Sequence, residues 1–62
     1  MKYSEKYSDA DKIACLKREL KMRRNVYGRR VEEGRMTPEA MQREIGIMTE
    51  ILEEFEKRER LL

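Results

Sequence analysis

Gly34-Arg35-Met36-Thr37-Pro38-Glu39 is the stretch that decides the fold. Thr37 has the side chain of a helix N-cap, an oxygen that can accept from the first free backbone N–H groups. Pro38 follows at the first helical position, where its missing N–H is harmless and its fixed φ is already helical. Glu39 places a carboxylate in the first turn, where the helix dipole favours it. Met36 and Met41 stand at the spacing of a hydrophobic staple. Gly34 is the residue type that lies just past the end of a helix, because it adopts the left-handed conformation without penalty. A stop and a start so close together leave a connection over 34–37 that only reverses the chain. The expectation is all-α, an antiparallel two-helix hairpin.

Working outward from the turn, the first helix reads back to Ser8 or Asp9 and spans about 9–33. Ser8 and Asp9 are both good caps, and Asp9 and Asp11 suit the positive end of the dipole. Gly28 is a weak point inside it and a place for a bend. The second helix spans about 38–60, with favourably ordered i,i+4 pairs Glu53–Lys57, Glu54–Arg58 and Glu56–Arg60. Residues 1–8 lack helical periodicity and read as a flexible tail. Its tripeptide Lys-Tyr-Ser occurs twice, with Tyr3 and Tyr7 as exposed aromatics.

At 100° per residue, Ile13, Leu16, Leu20, Tyr27 and Val31 form one apolar stripe. Met41, Ile45, Met48, Leu52 and Phe55 form the stripe that should meet it, widened by Ile47 and Ile51. The reversal puts Leu20 beside Ile51 and Leu52, Leu16 beside Phe55, and Tyr27 beside Glu44. Arg23 and Arg24 interrupt the first stripe, and Glu44 falls in the second. An Arg24–Glu44 or Arg23–Glu44 pair would fix the register rather than add stability. Gly46 falls away from the stripe.

Cys15, Met22 and Val26 make a second, shorter strip, about 140° round the first helix from the main one. Two helices cannot cover this strip together with the wide arc of the second helix. The surplus, Cys15, Met22, Val26, Ile47 and Ile51, calls for another chain. A two-fold homodimer forming a four-helix bundle is one solution, and a different protein partner is the other.

Charge adds a second candidate surface. The net charge is zero over residues 1–16, +5 over 17–35 and −3 over 36–62. Lys17, Lys21 and Arg24 share a face, with Arg18 and Arg29 beside it, a stripe that phosphates could contact. A helix-turn-helix reading fails, because the helix after the turn is the acidic one. Mutual attraction of the two helices accounts for the same pattern.

Composition excludes more than it proposes. In 62 residues, 45% of them charged, there is one cysteine and no histidine. No internal disulfide, imidazole base or Cys/His zinc site can be built, and no Gly-rich phosphate loop is present. Glu50, Glu53 and Glu54 lie close together but read as solvent-facing. No acid, base and pocket converge, so an enzyme, a cofactor and a small-molecule substrate are not expected. Apolar runs reach only four residues, far short of a membrane span, and the lone thiol suits the cytoplasm.

The pattern Lys12-Ile13-Ala14-Cys15-Leu16, Arg18-Glu19, Met22-Arg23-Arg24, Val26-Tyr27, Val31, Gly34-x-Met36-Thr37 and Arg43-Glu44-Ile45-x-x-Met48 resembles a group of small phage and prophage proteins of unknown function. It covers roughly residues 12–51. Gly28 departs from it, since such proteins often carry proline there. The resemblance implies a bacterial host cell and a small modulator or inhibitor of a host protein. It implies no catalytic residues.

Overall fold

The computed structural model describes residues 6–61 and shows two helices, α1 (Asp9–Glu32) and α2 (Pro38–Leu61), packed on each other. The first five residues of the expected tail lie outside the described residues. Its last residue, Ser8, is the cap of α1: its Oγ accepts from the Asp11 N–H at 3.1 Å and its carbonyl from the Lys12 N–H at 3.1 Å. Thr37 caps α2 in the same way, its Oγ1 accepting from the Ala40 N–H and its carbonyl from the Met41 N–H, both at 3.1 Å. α1 continues through Gly28 without a break.

The turn has a defined hydrogen-bond pattern. Glu33 ends α1, and Gly34 follows at φ +75°, the left-handed region that penalises a Cβ. The Gly34 N–H donates to the Val31 carbonyl at 3.1 Å and the Arg35 N–H to the Arg30 carbonyl at 2.8 Å. These are the two bonds of a Schellman motif, and they satisfy carbonyls that the end of α1 would otherwise leave open.

The core is small. Ile13, Leu20 and Leu52 are its buried side chains, with Leu16, Ile45, Met48 and Phe55 half-buried against them. Leu20, the most enclosed, retains 3% of its surface. Tyr27, Val31 and Met41, also expected in the stripes, are half-buried toward the turn.

Ion pairs tie the helices together away from the turn. Arg58 donates to both oxygens of Asp9, at 2.9 and 3.2 Å, and Lys17 Nζ lies 3.5 Å from Glu56 Oε2. The Arg58 guanidinium also lies 4.8 Å and the Lys12 ammonium 5.7 Å from the centroid of the Phe55 ring. The expected run of pairs along α2 is therefore replaced, in part, by pairs across the hairpin. Among the described residues neither Glu53–Lys57 nor Glu56–Arg60 closes to ion-pair distance. An exposed i,i+4 pair contributes only a few tenths of a kcal/mol, so a neighbour on the facing helix readily displaces it.

The Arg–Glu44 register pair is likewise not formed. Arg23 Nε turns to Glu19 Oε1 of its own helix, at 3.5 Å, and Glu44 is exposed. Arg24 is exposed as well, and the Tyr27 ring lies 5.8 Å from the Arg30 guanidinium.

Candidate docking site

The residues expected to seek a second chain are all exposed. Met22 keeps 59%, Ile47 43%, Val26 40% and Ile51 40% of their surface, and Cys15 is exposed with a free thiol. Cys15 stands on a side of α1 that α2 does not reach.

Register and rotation set these side chains relative to one another. Lys17 stands level with Glu56, and Leu20 shares the core with Leu52. At the same offset Met22 and Val26 stand level with the segment 46–50, between Ile47 and Ile51. Counting round each helix at 100° per residue, Val26 lies about 120° and Met22 about 160° from Leu20. Ile51 lies about 100° and Ile47 about 140° from Leu52, and because the helices are antiparallel all four turn toward one side of the hairpin. One broad face at mid-length thus carries four large apolar side chains. Between Val26 and the core runs a row of charge on α1, Lys12, Glu19, Arg23 and Arg30. The matching row on α2 is Glu44, Ile51 and Phe55.

On the opposite side, close to the turn, lies an open groove lined by Val31, Pro38, Met41 and Ile45, with Arg24 and Gln42 as its polar lining. Gly46 completes it, and a Cβ built there would meet nothing within 4 Å. Helical periodicity alone did not reveal this groove. Its signal was Gly46 itself, a missing side chain on the side of α2 that also carries Gln42. A smaller crevice is lined by Tyr7, Asp11, Lys12 and Cys15.

The cationic candidates Lys17, Arg18, Lys21, Arg24 and Arg29 are also all exposed. They do not form one patch. Lys17, Lys21 and Arg24 fall on the side of the groove, and Lys17 is engaged by Glu56. Arg18 and Arg29 stand farther round α1, at the border of the Cys15–Met22–Val26 strip.

The carboxyl of Asp9 is perturbed. The hydrogen bonds from Arg58 hold Asp9 below its ordinary value of 3.8, outweighing the partial desolvation that would raise it, and the charges of Arg58 and Lys12 add to the lowering. Among the described residues no group of three or more Cys, Asp or Glu side chains is placed to hold a metal ion. Among the described residues no helix is long and apolar enough to cross a membrane. No protein-family model, curated protein or solved structure matches the chain.

Proposed function

We propose that this chain is a non-enzymatic protein-docking module that completes its core against another polypeptide, and that it assembles as a two-fold dimer into a four-helix bundle. The observation that carries this reading is the mismatch between what the hairpin buries and what it leaves out. Among the described residues three buried side chains support the fold, while Met22, Val26, Ile47 and Ile51 stand exposed on one face. A core in a chain below about 70–80 residues rarely supplies more than about 3–5 kcal/mol, and such chains commonly gain the rest from a partner.

The resemblance to phage and prophage proteins gives the module a setting in the cytoplasm of a bacterial host, where a host protein is the natural target for the same kind of docking. Replacing Val26 by glutamate puts a charge in the middle of the face while leaving the hairpin core untouched. Light scattering coupled to size exclusion should show the wild-type mass at twice 7.6 kDa and the variant near the monomer value. An assembly of unchanged mass in Val26→Glu would refute the assignment of the face.

A second reading is a small nucleic-acid-binding accessory protein, supported by the exposure of Lys17, Lys21 and Arg24 on one side of α1. Such binding is made to phosphates and falls steeply with salt, whereas apolar docking does not. A salt titration of any complex separates the two. Changing all three cations to glutamate abolishes phosphate binding and leaves apolar docking unchanged.

A further inference from the structure

We infer that the occupant of the apolar face is a second copy of this chain, laid with its turn at the same end as the first, so that α1 of each copy lies against α2 of the other. The inference rests on the docking reading and its two-fold dimer, and adds the orientation of the two copies.

Two hairpins that bury this face under two-fold symmetry have two ways to do so. With the turns at opposite ends, α1 packs on α1 and α2 on α2. With the turns at the same end, α1 packs on α2. Apolar shape does not choose between them. Met22 and Val26 stand level with Ile47 and Ile51 in the hairpin, so the strip of α1 meets either itself or Ile47 and Ile51 of the partner subunit at the same depth.

Charge does choose. Asp9–Glu32 carries eight Lys or Arg against four Asp or Glu, and Pro38–Leu61 carries four against seven. One helix is therefore +4 and the other −3. With the turns at opposite ends, two +4 helices lie together along their length and two −3 helices do the same. The two-fold axis then passes near Arg24, which brings Arg23 opposite Arg23 of the partner subunit. The row beside the core on α1, with three cations and Glu19, would face its own copy. With the turns at the same end, that row faces the row of α2 whose charged member is Glu44. Glu44 is exposed and makes no ion pair among the described residues of its own hairpin. Arg23 is held by Glu19 of its own helix, and Arg30, near the level of Glu44, makes no ion pair among the described residues; an intermolecular Arg30–Glu44 contact accounts for the place of Glu44 within an apolar arc. Unlike charges favour this partner orientation, and like charges oppose the alternative.

The turn supplies a ruler. Arg35 is exposed in the turn, and Cys15 is the chain's one cysteine. A nitroxide carried on Arg35→Cys in a Cys15→Ser background reports the distance between the two turns by pulsed dipolar spectroscopy. With the turns at the same end the labels stand under about 20 Å apart, given helix spacings of 8–10 Å. With the turns at opposite ends they are more than about 30 Å apart, the length of the shared helical segment. A dimer with the long distance overturns the orientation and leaves the docking face standing. A folded monomer at about 100 μM, well above a micromolar dissociation constant, overturns the second copy as the occupant. In that case Val26→Glu, tested for binding to a different protein, decides the docking reading separately. A second variant needs no label. Glu44→Arg should weaken dimerisation roughly tenfold by sedimentation equilibrium, the loss of one cross-interface charge pair. An unchanged or tighter dimer would overturn the orientation, since with α2 on α2 the same substitution removes like-charge repulsion.

Discussion

The three glycines offer one substitution with opposite expected signs. Gly28 and Gly46 lie inside helices, and a Cβ added to either meets nothing within 4 Å. Alanine at such a site restores helix propensity at no steric cost, a gain of about 0.5–1 kcal/mol. For a domain of this size that raises Tm by about 2–8 °C. Gly34 also has open space around it, but its φ of +75° is the decisive quantity. An L side chain held there costs about 1–2 kcal/mol, offset in part by about 0.4–1 kcal/mol from a stiffer unfolded chain. The net expectation for Gly34→Ala is a loss of about 1 kcal/mol. Thermal melts followed by far-ultraviolet circular dichroism at one fixed protein concentration test all three variants, since assembly makes Tm depend on concentration. Destabilisation by Gly28→Ala, or stabilisation by Gly34→Ala, would refute the reasoning. A loss at Gly46 beside a gain at Gly28 would mean that another backbone packs on the groove.

The core and the open end give two further predictions. Leu20→Ala should cost about 2–5 kcal/mol, as much as a core this small supplies, so the helical signal at 25 °C should collapse; a cooperative melt with less than about 1 kcal/mol lost would place the stabilising contacts elsewhere. Asp9 has a folded pKa below its unfolded one, so its contribution is present above the unfolded value of 3.8 and disappears as pH falls through the lower folded value. Asp9→Asn should therefore flatten the acid limb of the stability profile at low salt, and a limb identical to that of the wild type would show that the pair with Arg58 has no energetic consequence.

Legibility in the sequence followed the physics of each feature. Thr37, Pro38 and Gly34 act through backbone geometry within three or four residues, and the structure forms each as its chemistry dictates. The stripes were legible for the same reason, since burial of Ile13, Leu20 and Leu52 depends on periodicity and one reversal. Long charged side chains were not legible. Arg23 chose Glu19 over Glu44, and Glu56 chose Lys17 over Arg60, among alternatives separated by a few tenths of a kcal/mol. The wheel gives direction round a helix but not the axial level and tilt that settle such choices. The role of Gly46 was not legible on similar grounds, because the groove it opens is shaped by both helices and the turn.

The turn described above also governs how quickly this chain finds its structure. Residues 33–37 close the reversal with two backbone bonds, and each remaining contact forms by zipping outward from that point. Helical topologies with such local contacts fold in microseconds to milliseconds, and closing a loop of about ten residues takes about 10–100 ns. Typical protein association proceeds at about 10⁵–10⁷ M⁻¹s⁻¹, so at micromolar concentration a partner arrives in about 0.1–10 s. The hairpin therefore closes far faster than a partner arrives. Its rate of capture is set by abundance and diffusion, with folding already at equilibrium.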